Sequence, residues 1–294
     1  VAQLGQELTQ LSEIIGTKNV AKVGLVFDWD TYWALEYTSG PNQDLYYVDQ
    51  IHHYYRYFYE RNIAVEMVAP TDDFTEFELV VAPVCYMVKE GVKEAIEQFV
   101  QAGGTFVTTF MSGIVDQSDN VHLGGYPGPF RKLAGIWVEE IDALAPSQEN
   151  TIQLNDGTQG KSTLLADIIH LETAESLGEY TSNFYQGQPV ATKNTYGKGQ
   201  VYYVGTQLDA DSLATILDQA VDVDTLSTCL ATKLEVTKRH SDSSEYTFVM
   251  NFAHTAEDLP AQFVGQLDIL TGQEVNAETK VDPYDTFVFK RNLR

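Results

Sequence analysis

A chain of 294 residues with 42 Asp and Glu against 18 Lys and Arg has a formal charge of −24. That field repels phosphate backbones and anionic lipid, so neither nucleic acid nor a membrane surface is an expected partner. Apolar residues make up 44% of the chain, enough for a sizeable core, and the length favours two domains over one.

The first segment, "VAQLGQELTQLSEIIGT", places Val1, Leu4, Leu8, Leu11, Ile14 and Ile15 at helical spacing with no capping residue ahead of them. It reads as the end of something longer, and it has neither the basic nor the apolar region of a signal peptide. From Val20 strands and helices alternate. "KVGLVFDW" is a strand with both faces covered. "DLYYVDQIHHYYRYFYERN" carries a helical stripe of Leu45, Val48, Ile51, Tyr55 and Phe58. "IAVEMVA" and "FELVVAPVCYMV" (Phe77 to Val88) are the second and third strands. "KEGVKEAIEQFVQAGG" is a helix closed by glycines, and "TFVTTF" is the fourth strand.

Residues 113 to 150 look loop-rich, a long insertion of the kind that is usually functional or interfacial. "GKGQVYYVGTQLD" is a turn and a further buried strand. "DSLATILDQAVDV" is a closing helix with Asp211 or Ser212 as its N-cap. After about Leu230, "LEVTKRH", "EYTFVMNFA", "FVGQLDILTG" and "DTFVFKR" are short alternating strands with no helical period. The expected fold is α/β: a doubly wound, mostly parallel sheet followed by a small antiparallel β domain.

Chemistry is hard to find on this frame. "TFMSG" is a tight turn after a strand, where hydrolases of this class place a nucleophile. Met111 cannot attack a bond, and Ser112 needs a base that the later strand does not supply, since it offers Gln207 and Asp209 but no His. Cys85 also follows a strand, without a basic partner nearby. The two cysteines, Cys85 and Cys229, fit no zinc or disulfide spacing, and a reducing, cytoplasmic setting is expected. The six histidines form no metal-ligating pair, so no metal and no cofactor are expected. Acid pairs occur at Asp28 and Asp30, Asp116 and Asp119, and Glu139 and Glu140. Capping and solvated edges explain them more simply than a glycosidase pair does. Aromatic clusters in "DTYWALEY" and "HHYYRYFYER" suit a protein contact or core, and a sugar platform less well. An independent hydrolase using Ser112 or Cys85, and a carbohydrate-binding module, remain the alternatives.

Four stretches carry a resemblance: "KVGLVFDWDTYWALE", "FELVVAPVCYMV", "AGGTFVTTFMSGIVDQSDNVHLGGYPGPFRKLAGIWVEEIDAL" and "YGKGQVYYVGTQLD". They closely resemble the region after the barrel in family 42 glycoside hydrolases, which are β-galactosidases. The resemblance implies three parts: 1–17, the last helix of a preceding (β/α)₈ barrel; 18–228, a trimerisation domain related to class I glutamine amidotransferases; and 229–294, a small C-terminal β domain. It also implies a cytoplasmic homotrimer whose catalytic glutamates sit on the barrel, a fold of about 250 residues for which this chain has no room. No catalytic residue is therefore carried over. The partners implied are the chain's own subunits and the barrel of a retaining β-galactosidase. For the contact between subunits the expected residues are Asp28, Asp30 and Trp33 in a loop from Asp28 to Tyr37. Asp116, Tyr126, Pro127, Phe130 and Trp137 join them from an irregular segment running from Asp116 to Glu140.

Overall fold

The computed structural model describes residues 2–229 and 232–293. Val1 of the N-terminal stripe and Leu230, where the sequence texture changes, lie outside the described residues. Two compact units emerge: one of Lys22–Tyr57 and Val65–Asp222, the other of Val1–Ala21, Phe58–Ala64 and Val223–Arg294.

The chain starts with α1 (Ala2–Gln10), followed by a 3₁₀ turn at Leu11–Ile14. The larger unit then follows the expected alternation: β1 (Val23–Val26), α2 (Trp29–Tyr37), α3 (Tyr47–Tyr59), β2 (Val65–Val68), β3 (Leu79–Ala82), α4 (Val92–Ala102) and β4 (Thr105–Thr109). Strands β1 and β3 are buried at every position, as strands covered on both faces must be. Helix α4 buries Val92, Ile96, Phe99 and Val100, the i, i+4, i+7, i+8 stripe of an amphipathic helix. It stops at Gly103, whose φ of +123° suits glycine and whose N–H donates to the Val100 carbonyl at 3.0 Å.

A second run of elements completes this unit: α5 (Arg131–Ala134), β5 (Ile136–Ala143), β6 (Asn150–Leu154), β7 (Gln159–Leu171), β8 (Glu175–Tyr180), β9 (Pro189–Tyr196), β10 (Gly199–Val204), β11 (Thr206–Leu208) and α6 (Ala210–Ala220). All eleven strands form one sheet in the order β11-β7-β6-β8-β9-β10-β4-β3-β1-β2, with β5 also on β7. The β2-β1-β3-β4-β10 half is parallel throughout, and the strands beyond β10 pair antiparallel. The core includes Val80, Ile96, Val100, Phe106, Phe130, Leu133 and Val201.

Four sequence expectations need correction in this unit. Asp28–Tyr37 is a helix after its first residue, not a loop, because the Asp28 carboxylate caps it. The segment Asp116–Glu140 is not irregular to its end, since Ile136–Glu140 is strand and Arg131–Ala134 is helix. The third strand is shorter than expected and ends at Ala82; the chain turns at Val84, where φ is +48°. The N-cap of α6 is Asp209 rather than Asp211 or Ser212. Its side chain accepts from the Ser212 N–H at 2.9 Å and also holds the Lys161 N–H at 2.5 Å.

In the smaller unit, after α7 (Val223–Leu226), the strands are β12 (Glu235–His240), β13 (Ser244–Met250), β14 (Glu257–Asp258), β15 (Lys280–Val281) and β16 (Thr286–Asn292). Strands β12-β13-β16 form an antiparallel sheet and β14 pairs with β15. Val236, Val249, Val281, Phe263 and Phe289 fill the core, with the Phe263 and Phe289 rings stacked 5.0 Å apart. Asn62 ties Phe58–Ala64 into this unit: Nδ2 donates to the Cys229 and Leu234 carbonyls, and Oδ1 accepts from the Val236 N–H. The stretch "FVGQLDILTG", expected as a strand, begins at the end of a 3₁₀ turn (Ala261–Phe263) and continues with isolated bridges and a tight turn at Gly272, whose φ is +70°.

Candidate functional site: a strand-end clamp, an elbow and an aromatic face

Neighbouring strands β1 and β3 are not consecutive in the chain, so the strand order reverses between them. Such a reversal opens a crevice at the carboxyl ends of the strands, the usual ligand position in open α/β sheets. Asp28 sits there, two residues past β1. Its carboxylate accepts from the Asp30 N–H at 3.3 Å, the Thr31 N–H at 3.4 Å and the Thr31 hydroxyl at 3.1 Å. Lys89 Nζ closes the group, 2.7 Å from Asp28 Oδ1 and 2.6 Å from Asp30 Oδ2. Partial burial alone would lower the pKa of Lys89; hydrogen bonds and charge from the two carboxylates outweigh it, and the net shift is upward. The paired carboxylates are thus bridged by one ammonium, an arrangement for holding α2 in place rather than for acid–base work.

The elbow follows β4. Met111 takes a φ of +56°, uncommon for a residue with a side chain, and is buried. Ser112 beside it is fully buried. The Thr108 hydroxyl donates to the Ala82 carbonyl at 2.9 Å, so the 2.8 Å contact between Thr108 Oγ1 and Ser112 Oγ takes its hydrogen from Ser112. Ser112 Oγ in turn accepts from the Cys85 N–H at 3.0 Å, while Thr109 Oγ1 accepts from the Val84 N–H at 2.8 Å. Both hydroxyls therefore staple the turn after β3 to the turn after β4, and they supply the fixed surroundings a strained φ requires. Burial first, and then the charge of Asp28, pushes the Cys85 thiol up to about 12, far from a reactive thiolate. This geometry removes the support for a hydrolase built on Ser112 or Cys85.

The expected contact residues fall into two groups. Asp28, Asp30 and Trp33 come together on α2. There Trp29, Trp33 and Tyr37, at i, i+4 and i+8, are 59%, 53% and 90% exposed, so the aromatic face of the helix points to solvent. Trp29 and Tyr37 lie inside the stretch from Asp28 to Tyr37 expected at the contact, though neither was singled out, while Lys89 was missed; the i, i+4, i+8 spacing of the three aromatics was the available signal for the face. The second group lies on the 113–138 segment. Asp116 caps a turn by accepting from the Ser118 and Asn120 N–H groups at 2.8 and 3.1 Å, and those bonds hold its pKa low. Pro127 is buried and Tyr126 half-buried. Trp137 is stacked on His170 at 4.9 Å, with the Arg131 guanidinium 5.8 Å from its ring. Phe130 departs from expectation: it is 0% exposed and packs on Phe106 within the core, so its side chain cannot anchor a neighbour.

The sequence matches the family described as "Beta-galactosidase trimerisation domain" over residues 21–227 and the one described as "Beta-galactosidase C-terminal domain" over 233–291. The chain belongs to the family 42 β-galactosidases. Among relatives, this family 42 chain is 45% identical over 285 residues to the β-galactosidase LacZ of Lactobacillus acidophilus, covering 95% of this chain and 42% of that protein. The β-galactosidase from Bacillus circulans sp. alkalophilus superposes with a TM-score of 0.94 at 41% identity, covering 99% of this chain and 44% of that one. A catalytic mutant of Gan42B, a GH42 β-galactosidase from G. stearothermophilus, gives 0.93 at 31% identity, covering 99% and 43%. The family 42 chain thus spans less than half the length of these relatives. No helix among the described residues is long and apolar enough to cross a membrane.

Proposed function

We propose that this chain is the assembly portion of a β-galactosidase acting on terminal β-D-galactosides, and that it holds three copies together in the cytoplasm. The working parts are the trimerisation domain, 18–228, and the C-terminal domain, 229–294; residues 1–17 lead in from a catalytic barrel that carries the glutamates. The larger domain is a glutamine-amidotransferase-like scaffold whose elbow keeps its shape and lacks its nucleophile.

One observation carries this reading. An exposed face of two tryptophans and a tyrosine on α2 is fixed to the sheet by the Asp28–Lys89–Asp30 clamp, within the segment that matches the trimerisation family. Rigid exposed aromatics give large contact area at small entropic cost, which is why they dominate interface energetics. In a closed ring of three, each copy presents two different patches. The α2 face is one, and the segment bearing Asp116, Tyr126, Pro127 and Trp137 is the other. A tagged copy should capture an untagged copy, and should lose it when both carry Trp29→Ala and Trp33→Ala while their circular dichroism is unchanged. Equal capture by the double variant would overturn this assignment.

A further inference from the structure

Leu123 is 96% exposed, yet the backbone on either side of it is tied down. Before it, the Asn120 carbonyl accepts from the Asp116 N–H and the His122 N–H donates to the Ile114 carbonyl, both at 2.9 Å. After it, Arg131 Nη1 donates to the Gly124 carbonyl at 3.0 Å. A single exposed leucine needs no explanation. This one stands with exposed Val121 in residues 120–130, eleven in a row without Asp, Glu, Lys or Arg, in a chain where those residues make up 20%. The tip is a preformed apolar knob, and a fixed backbone loses little freedom on docking.

A hollow of about 250 Å³ lies at the same end of the sheet, with Tyr32, Leu35, Leu45, Tyr46 and Met111 among its walls. It follows β1 as the knob follows β4, and those strands run parallel. Leu35 and Leu45 are half-buried and Tyr46 is exposed, so its apolar wall can be reached from solvent. The lip, residues 37–43, again carries no charged side chain, and among the described residues that line the hollow only Glu36 is charged. Sites for drug-sized ligands occupy roughly 300–1,000 Å³, whereas about 150 Å³ already holds a benzene-sized group; the hollow is on the scale of one or two side chains. The exposure of Leu123 means that it does not fill the hollow of its own copy. Copies of a chain with a charge of −24 repel one another, so they meet most favourably where charge is absent. Both features lie within the segment that matches the trimerisation family. We infer that Leu123 of one copy seats in the α2 hollow of the next, a head-to-tail contact of the kind that closes into a ring when repeated. This rests on the assembly reading above and names the side chain that engages and the wall that receives it.

The test mixes two single variants of the 294-residue chain, Leu123→Cys and Gln43→Cys, the second at the exposed lip of the hollow. The native Cys85 and Cys229 are buried. A short bismaleimide should join the two variants into a linked pair, and neither variant alone should link. Light scattering gives the second readout. Leu123→Ala should raise the concentration at which the assembly half-dissociates about tenfold or more, through lost apolar burial. Leu123→Met, of similar volume, should change it less than about threefold. Because Leu123 is exposed, neither substitution disturbs the core. If the wild-type chain assembles and Leu123→Ala assembles equally well, or the mixed variants do not link, the inference is overturned and the assembly reading stands. Linking of Leu123→Cys with itself also overturns it, since two tips would then meet each other. A wild-type chain that never assembles removes both.

Discussion

Tyr203 donates its phenolic hydrogen to Asp167 Oδ2 at 2.6 Å in the middle of the large sheet, where both side chains are buried. The other oxygen, Oδ1, has no partner. Burial pushes the Asp167 carboxyl up to about 7, against a smaller downward pull from Tyr203. A carboxyl raised in the folded state binds its proton more tightly there than in the unfolded chain. Its contribution is therefore most favourable below the ordinary carboxylate value and is lost as pH rises to about 7. Asp167→Asn keeps the acceptor for Tyr203 and removes the charge. It should raise the urea midpoint at pH 8 by more than at pH 5, a difference of up to about 2.5 kcal/mol at full burial. Parallel pH profiles for the two proteins would refute this.

Glu245 on β13 is a nearly buried carboxylate with two cationic neighbours, Arg291 Nη2 at 3.1 Å and Lys238 Nζ at 3.5 Å, and the His240 ring with Nε2 at 3.8 Å. Replacing it with Gln leaves those groups facing one another without a counter-charge. Because Arg291 is largely exposed, solvent screens part of the cost, and a loss of about 1–2 kcal/mol is expected in urea unfolding. Lys238→Met, which leaves Glu245 two partners, should cost less than half as much.

Gly125 faces the edge of Trp137. Its φ is +87°, and a Cβ there would sit 2.5 Å from Trp137 Nε1. Gly125→Ala should destabilise by about 1–3 kcal/mol, through the left-handed backbone and the displaced ring together. Since the chain has three tryptophans, a Trp29→Phe, Trp33→Phe background isolates Trp137. Its fluorescence should shift when alanine is introduced; an unmoved spectrum would show that the ring had not been held there.

Ser112→Ala removes the acceptor for the buried Cys85 N–H. An unsatisfied buried donor costs about 1–3 kcal/mol, and hydrogen exchange at Cys85 should quicken accordingly. Unchanged exchange would mean that the two turns are held by other contacts.

The parallel half of the larger unit was legible because its signals are local. Continuous apolar runs marked β1, β3 and β4, a helical stripe marked α3, and closing glycines marked α4. The antiparallel half was passed over: residues 151–196 were not assigned at all, although β6 alternates buried and exposed at every position. Its strands are rich in Gln, Thr, Ser and Asn, which weakens the contrast that periodicity depends on. Helix α2 was hidden for a related reason. Its aromatic positions face outward, so a search for a core-facing stripe finds none. At the candidate site, the acids and Trp33 could be named from sequence, but Lys89 lies 61 positions from Asp28 and Ser112 lies 27 from Cys85. Such ties are made by strand order, and no short motif announces them.

The most direct test of the assembly role is the mass of the chain in solution by light scattering across a dilution series. The account predicts three times the 32.8 kDa of one chain at high concentration, falling to one when Trp29→Ala and Trp33→Ala are introduced together. A wild-type chain that stays at the single-chain mass at every concentration, or a double variant that keeps the trimer mass, would contradict it.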